Sequence, residues 1–422
     1  MTFLLHVTLF VVLDMSIIMH IDFNSYFASV EQQANPFLRG KAIAVGGKAP
    51  GAQGTVRSVV TTASREAKAR GVATGMATWE AQKLCPELIV VPGDPQKYSE
   101  ITQRLLTVCK KYADNMEQFS TDEVFLDVTT GAQDYFGATL LAQIIRAELK
   151  DACGAACTAS VGIAPNLLVA KLASESVKPN GLTVVMPEHV EDFVRTRPLK
   201  DFCGIGRKTE KKLEEMGVTS VDTLRKVSRR ELVSAFKSQG AWLADAALGI
   251  GSDLLAVEQD AKSVGHSYTF PADLLTESDV WKNLLALSDR VASRLLRQGA
   301  TGFRVSGFVR YGDFGNDGGD RLLKEPLTDG LDIAANAWRI LQPKIDPERG
   351  VRLIGVTVSE LRHAQQTESI LTKPRNMHAV LGALNKVQTR FGNDAWQRAT
   401  TVGTLFRERT SGWHYDHELM AT

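Results

Sequence analysis

Two adjacent carboxylates, Asp122 and Glu123, stand at the start of a strongly strand-forming run over residues 120–128. Successive side chains of a regular strand point to opposite faces, so both acids can serve one ligand only where the strand begins. There the backbone can turn both carboxylates toward one cation, and hard divalent ions such as Mg²⁺ prefer oxygen ligands. A solvated acidic turn before a strand has the same composition, so the pair alone leaves both interpretations open.

A third carboxylate, Asp22, ends the apolar run of residues 16–22, and Asn24 or Ser25 can cap a helix directly after it. A buried strand that delivers Asp22 beside the start of the acidic strand would place three carboxylates at the edge of one sheet. A two-metal phosphoryl-transfer site requires such a cluster, with cations roughly 3.5–4 Å apart.

Composition sets weaker limits. The 422 residues imply two or more domains, and the net charge of +1 gives no overall sign of a nucleic-acid binder, so local charge must carry that argument. The cysteines form no CxxC pair and have no histidine at zinc spacing, which favours buried reduced thiols over a metal or disulfide framework. They are Cys85, Cys109, Cys153, Cys157 and Cys203.

Hydrophobic periodicity predicts further elements. We expect helices over residues 101–116, 140–150, 280–298 and 332–341, strands over 159–164, 303–311 and 351–361, and a linker at 253–263. Residues 1–14 are apolar but lack a basic start and a cleavage pattern, and are too short to span a bilayer. We interpret them as a gene-calling artefact ahead of a start at Met15.

Residues 22–31 (DFNSYFASVE) together with residues 120–127 (STDEVFLD) resemble the paired acidic motifs of the Y-family DNA polymerases of the DinB type. A Lys-Pro-Asn-Gly segment at 178–181 also matches, and the resemblance covers about residues 16–361. It implies an α+β multidomain fold with the right-hand polymerase architecture. The implied parts are a palm (15–24 and 91–178), fingers (25–90), a helix-hairpin-helix thumb (179–251), a linker (252–264), a C-terminal little-finger domain (265–362) and a tail (363–422).

The resemblance implies a template-directed, low-fidelity DNA polymerase that acts in translesion synthesis and damage tolerance in the cytoplasm. Its catalytic carboxylates would be Asp22, Asp122 and Glu123, which with the Phe23 carbonyl would hold two Mg²⁺ ions. Asn24 departs from the acid often found at its position. The remaining length leaves no room for a separate exonuclease domain, so we expect no proofreading.

The nucleotide site follows from the same resemblance. Phe27 is the expected steric gate against a ribose 2′-hydroxyl, with Tyr26 beside the sugar and phosphates. In the fingers Arg65 and Lys68 replace the family's Tyr and Arg, which keeps the charge but loses bidentate geometry at Lys68. Lys171 is expected to face the triphosphate. On composition alone, a solvated basic surface and an aromatic core turn are the favoured interpretations of these residues.

Two further regions are expected to contact primer-template DNA. Gly204 and Gly206 would let the thumb backbone approach a phosphate at a helix start, with Lys208 adding charge. Arg304 and Arg310 of the little finger could follow the phosphate backbone without reading sequence. An ordinary tight turn and a mixed solvated surface are the corresponding structural alternatives.

The tail contains residues 366–371, Gln366 to Leu371, which faintly resemble the short peptide that holds a sliding clamp, although the closing Phe is missing. We expect a monomer without membrane association. Two alternative functions remain: a non-catalytic DNA-binding scaffold related to these polymerases, and a nucleotidyl cyclase. The scaffold would be expected to lose the carboxylates, and the cyclase needs no thumb or DNA-tracking domain.

Overall fold

A computed structural model describes residues 16–47, 57–113, 115–256, 261–363, 380, 382–384, 386–387, 390–391 and 395–404 of the chain. The described residues fall into two compact units. The first takes its residues from 1–52 and 58–258, and the second from 53–57 and 259–408. In the described part of the chain no helix is both long and apolar enough to cross a bilayer.

The strands, in chain order, are β1 (Ile18–Phe23), β2 (Ile43–Gly46), β3 (Thr62–Ala63), β4 (Ile89–Pro92), β5 (Asn115–Gln118), β6 (Glu123–Asp127), β7 (Ala159–Ala164), β8 (Leu182–Val184), β9 (Ser263–Leu274), β10 (Ala300–Tyr311), β11 (Asn316–Leu327) and β12 (Val351–His363). The helices are α1 (Tyr26–Ala34), α2 (Arg65–Lys68), α3 (Thr78–Leu84), α4 (Pro95–Cys109), α5 (Thr129–Ala132), α6 (Tyr135–Cys153), α7 (Leu167–Ser176), α8 (Val190–Arg195), α9 (Arg207–Glu215), α10 (Val221–Lys226), α11 (Arg229–Phe236), α12 (Ser238–Ala246), α13 (Glu277–Arg297) and α14 (Gly330–Leu341).

The central sheet of the first unit has the strand order β5-β6-β1-β7-β8. Every pairing is antiparallel except β7 with β8. Its middle strand β1 is buried along its whole length, and its side chains alternate between two cores. Met19, Ile21 and Phe23 pack with α4 and α6, whereas Ile18 packs with α7 on the opposite face. Asp22 shares that opposite face because it lies four residues beyond Ile18.

Smaller layers flank this sheet within the first unit. Strands β3, β2 and β4 form a three-stranded sheet with a core of its own that includes Ala67 of α2. Helices α8 to α12 follow β8, and Ser220 and Ser228 begin α10 and α11 with capping boxes that satisfy the first backbone amides.

The second unit is a four-stranded antiparallel sheet, β11-β10-β12-β9, with α13 and α14 packed on one face. The predicted strand and helix pairs at 280–361 are present, but two strands were missed. β9 begins at Ser263, inside the predicted linker, and β11 has the sequence NDGGDRLLKEPL, whose glycines and charges hide a strand. It forms because its backbone pairs with β10, which local propensity does not report.

The C-terminal residues 395–404 pack against the helices of the second unit. Arg398 donates from Nε to Asp289 of α13 at 2.9 Å and from Nη2 to Asp329 at the start of α14 at 2.8 Å. All three side chains are largely buried. A planar guanidinium can serve two carboxylates at once, so one residue joins this segment to both helices.

Both ends of one helix differ from prediction for local reasons. The helix predicted over 101–116 is α4, which starts earlier, since Pro95 takes its first position and Asp94 caps it, and ends at Cys109. Met116 lies instead in β5.

All cysteines are free thiols, as predicted, but Cys203 is exposed whereas the others are buried.

Candidate active site

The three carboxylates predicted to act together lie at one end of adjacent strands. Asp22 of β1 and Glu123 of β6 are direct cross-strand partners. Asp122 precedes β6, so the acidic pair does stand where the strand begins, and its carbonyl accepts a 2.9 Å hydrogen bond from Phe23 N. Ser120 Oγ donates to Asp122 Oδ1 at 2.5 Å. The turn before β6 therefore gives Asp122 a position that regular strand geometry would deny it.

Two lysines hold the buried acids. Lys171 of α7 forms an ion pair with Glu123 Oε2. Lys178 Nζ lies 3.1 Å from Asp22 Oδ1 and 2.6 Å from Glu175 Oε1. Asp22 and Glu123 are only 8% and 9% exposed. Such buried charges require compensation, and the lysines supply it.

The pKa values show how strongly the site favours cations. Burial raises the pKa of Asp22, with Lys178 opposing the shift and the neighbouring acid Asp122 adding to it. Burial likewise raises the pKa of Asp122. For Glu123 burial also acts upward, but contact with His20 and the charge of Lys171 outweigh it and lower the pKa. Each ionised acid is thus more stable with a positive partner.

The donor set fits a hard divalent cation. It consists of carboxylate oxygens on adjacent strand ends, where burial and mutual repulsion disfavour uncompensated negative charge. In the described part of the chain no three acidic, histidine or cysteine side chains are already gathered around a common point. Instead, the oxygens of Asp22 and Glu123 face lysines. A cation would therefore have to compete with ammonium groups for these ligands.

His20 is a further part of the site that sequence reasoning missed. Its ring is fully buried, with Nε2 3.2 Å from Glu123 Oε2 and Nδ1 2.7 Å from Ser174 Oγ. Burial lowers the pKa of His20 to about 4, so the imidazole is neutral at pH 7. Its position two residues before Asp22 on the same strand face was the available sequence signal.

The predicted aromatic residues lie at the start of α1. Phe27 is partly buried and stacks on Tyr98, with ring centroids 4.4 Å apart. The side chain of Tyr26 is only 2% exposed, and its hydroxyl donates to the Tyr98 carbonyl at 2.7 Å. The Tyr26 side chain therefore packs in the core and has little surface to offer a sugar, unlike the expectation from the sequence.

The basic residues predicted for the phosphates are exposed on α2. Arg65 and Lys68 stand on a one-turn helix whose start Ser64 caps, accepting from Ala67 N. Partial desolvation and the neighbouring charge of Lys178 lower the pKa of Lys68, whereas Asp22 acts to raise it. Lys68 thus lies within electrostatic range of the carboxylate cluster, and a polyanion there would meet several cations.

The predicted thumb contacts lie at the start of α9. Gly204 has φ +116°, and the Trp242 ring stands 3.1 Å from where a Cβ would lie, so only glycine fits without strain. Gly206 precedes the helix with open space beside it, and Lys208 is exposed on the first turn. The backbone amides at this helix start are therefore accessible.

The predicted little-finger arginines lie on β10. Arg304 forms ion pairs with Asp320 and Glu360, while Arg310 Nε donates to Asn316 Oδ1 at 2.8 Å. Acids of the chain itself therefore compensate part of the charge of Arg304.

The predicted clamp segment, Gln366 to Leu371, lies outside the described residues.

The sheet edge with its three acids, next to lysines and a capped basic helix, is suited to transfer of a nucleotidyl group. Comparison with known proteins specifies the class. The impB/mucB/samB family model matches residues 21–175, its C-terminal domain model matches 261–370, and the IMS family HHH motif matches 187–218.

Similar proteins cover most of the chain. DNA polymerase IV of Desulfatibacillum aliphaticivorans is 35% identical over 346 residues, which is 82% of this chain and 85% of that protein. DNA polymerase IV of Shewanella woodyi is 36% identical over 346 residues, 81% of this chain and 91% of the relative. Among solved structures, a Y-family DNA polymerase chimera of Dbh and Dpo4 has a TM-score of 0.73 at 26% identity, covering 82% of this chain and 99% of the other.

The chain belongs to the DinB branch of the Y-family DNA polymerases. It is a template-directed DNA polymerase of the translesion type, as the acidic motifs predicted, and its right-hand α+β fold is confirmed. Polymerases of this family use divalent metal ions.

Proposed function

We propose that Asp22, Asp122 and Glu123 hold two Mg²⁺ ions, with the Phe23 carbonyl as a further ligand, and that this cluster is the catalytic centre. The observation that carries the proposal is the cross-strand pairing of Asp22 with Glu123 directly beside Asp122. When bound, the ions supply charge neutralisation at the attacking and departing oxygens of an in-line phosphoryl transfer. The three carboxylates would hold the positive charge of the ions in place at the strand ends.

The surrounding lysines would bind the incoming triphosphate. Lys171 and Lys178 are already directed at the carboxylate cluster, and Lys68 lies within electrostatic range of it. When an anionic triphosphate binds together with its cations, the lysines can pair with the phosphates and the cations can pair with the acids. Arg65 adds charge at the same helix, and ammonium groups bind phosphate as point charges without the bidentate geometry of arginine.

Phe27 would act as the steric gate beside the deoxyribose. Its ring is held by stacking on Tyr98, and the buried hydroxyl bonds of Tyr26 fix the helix turn that carries it. A ring fixed in this way can exclude a 2′-hydroxyl by volume. Tyr26 therefore contributes by positioning rather than by side-chain contact with the nucleotide.

Primer-template DNA would bind at the α9 start, through Gly204, Gly206 and Lys208, and along β10 through Arg304 and Arg310. Exposed helix-start amides favour phosphate, and such contacts are independent of sequence. We also propose that the chain is a monomer that works in the cytoplasm, and that the segment near Gln366 docks on a sliding clamp.

The alternative functions are not favoured. A non-catalytic scaffold would have no use for three neighbouring acids, two of them buried, whose ionised forms require compensation. A nucleotidyl cyclase would not require the α9 helix start or the second unit. The retained carboxylates and the family's C-terminal domain match therefore support the polymerase.

Primer extension tests the proposal. A primed template, Mg²⁺ and the four deoxynucleoside triphosphates are incubated with wild type, Asp122→Asn and Asp94→Asn. The last variant is the matched control, because Asp94 caps α4, is not a proposed metal ligand, and asparagine caps a helix as well as aspartate does. We expect extension by wild type and Asp94→Asn, and a loss of at least about 10²-fold in Asp122→Asn. Equal extension by all three would refute the assignment.

A further inference from the structure

We propose that Glu31 is a positioning residue for the discrimination between deoxyribose and ribose, because it holds the Tyr98 ring on which Phe27 stacks. The inference rests on the proposed function, in which Phe27 is the steric gate. Glu31 ends the motif of residues 22–31, and neither the carboxylate cluster nor the proposed triphosphate contacts use it.

Glu31 and Phe27 share one face of α1. They are four residues apart on this helix, which makes their side chains neighbours on its surface. The Tyr98 ring of α4 stacks on Phe27 with 4.4 Å between centroids, and the Tyr98 hydroxyl donates to Glu31 Oε1 at 2.7 Å. One tyrosine therefore joins the gate to the carboxylate one turn farther along α1.

Hydrogen bonds fix Tyr98 at two points. Its backbone carbonyl accepts from the Tyr26 hydroxyl at 2.7 Å, and its own hydroxyl is bound to Glu31. The residue is buried, with 3% of its surface exposed. Stacking between two rings permits several offsets, whereas a hydrogen bond to a carboxylate is directional and roughly twice as strong as a neutral one. The bond to Glu31 therefore sets where the Tyr98 ring lies against Phe27.

Lys97 compensates the charge of Glu31, which is a buried carboxylate. Lys97 Nζ lies 2.9 Å from Oε2 and 3.1 Å from Oε1. A carboxylate without a partner would be costly at this burial, and a paired one contributes little net stability compared with apolar residues of similar volume. What the pair supplies is an acceptor at a fixed place, because Oε1 accepts from both Lys97 and Tyr98.

The test measures the ratio of kcat/KM for a deoxynucleotide to kcat/KM for the matching ribonucleotide, in single-nucleotide extension by the full chain with Mg²⁺. Both values come from one preparation, so partial unfolding lowers them equally and leaves the ratio unchanged. Glu31→Gln keeps an oxygen that can accept from Tyr98, whereas Glu31→Met fills a similar volume without one. We expect the ratio to fall at least about fivefold in Glu31→Met and to stay within about twofold of wild type in Glu31→Gln. Equal ratios for the two variants would overturn the proposal.

Tyr98→Phe provides a second measurement if Glu31→Met does not fold, because it keeps the ring and removes only the hydroxyl. Tyr112→Phe is the matched control. The Tyr112 hydroxyl also donates to a glutamate, Glu148, which pairs with Lys111, and Tyr112 is not part of the gate stack. We expect the ratio to fall at least about threefold in Tyr98→Phe and to keep its wild-type value in Tyr112→Phe. An unchanged ratio in Tyr98→Phe, or an equal fall in both variants, would count against the inference.

Phe27→Ala separates the role of Glu31 from the gate itself. If this variant keeps the wild-type ratio, the gate assignment fails. If it lowers the ratio while Glu31→Met and Tyr98→Phe do not, only the role of Glu31 fails. Because Glu31 acts through the Phe27 ring, adding Glu31→Met to a chain that already carries Phe27→Ala should change the ratio by less than about twofold. A full fivefold effect in that background would refute the positioning role.

Discussion

Replacing Gly162 with alanine should push helix α7 away from the central sheet. The new methyl group would meet the Ala170 carbonyl oxygen at 2.1 Å, whereas ordinary contact begins at 3.4 Å, so the helix must retreat by about 1.3 Å. The 2.7 Å contact between Ser174 Oγ and His20 Nδ1 would then open beyond hydrogen-bonding distance. Overpacking costs about 1–3 kcal/mol, and an unpaired buried nitrogen a similar amount.

We therefore expect Gly162→Ala to lower the free energy of unfolding of the first unit by about 2–5 kcal/mol. That loss corresponds to a drop of roughly 5–15 °C in its melting temperature, measured by calorimetry of the full chain. Gly131→Ala is the matched control, since Gly131 lies in α5 with its nearest neighbour at 3.8 Å. Alanine there should be neutral or stabilise by up to about 1 kcal/mol. A difference of ~2 °C in melting temperature corresponds to less than about 1 kcal/mol of unfolding free energy. If the two variants melted within ~2 °C of each other, the packing argument would be wrong.

Three further predictions concern other residues. Phe27→Ala should raise incorporation of ribonucleotides relative to deoxynucleotides at least about tenfold in single-nucleotide extension, because the pocket loses the ring that excludes a 2′-hydroxyl; unchanged discrimination would contradict the gate. Arg398→Met should free residues 395–404 from the second unit, since it leaves Asp289 and Asp329 without their cation, and amide hydrogen exchange there should accelerate at least about tenfold. Burial raises the pKa of Asp289 to about 6, with Arg398 opposing. The pKa of Asp289 in the folded state exceeds the usual value, so protonation of this carboxyl stabilises the second unit. The stabilisation, on the order of 3 kcal/mol, is complete below about pH 4 and is lost as the pH rises through about 6. Calorimetry should show Asp289→Asn with a flatter pH dependence over this window, and an unchanged slope would refute the assignment.

Local sequence was sufficient for the acidic motifs. The alternation of β1 and the position of Asp122 and Glu123 at the start of a strand follow from side-chain period and composition, and both are present in the structure. These patterns also carried the resemblance to the family, which the comparisons confirm. A strand end is a local property, so a single stretch of sequence can report it.

Elements that depend on partners were harder to predict. β9 begins inside the segment interpreted as a linker, and β11 is rich in glycine and charge, so neither has the apolar alternation of an isolated strand. Both exist because a neighbouring strand supplies the backbone hydrogen bonds. Tyr26 shows the same limit for a side chain, since an aromatic residue in a functional motif can equally belong to the core.

The sequence by itself determined which residues carry charge and which strands deliver the acids to a sheet edge. Only the tertiary structure decided which groups face those acids. His20 meets Ser174 across 154 residues, and Lys178 meets Asp22 across 156 residues. These contacts arise because α7 packs directly on the sheet at Gly162 and brings distant residues beside β1. Packing sets such distances, and no local periodicity in the chain encodes them.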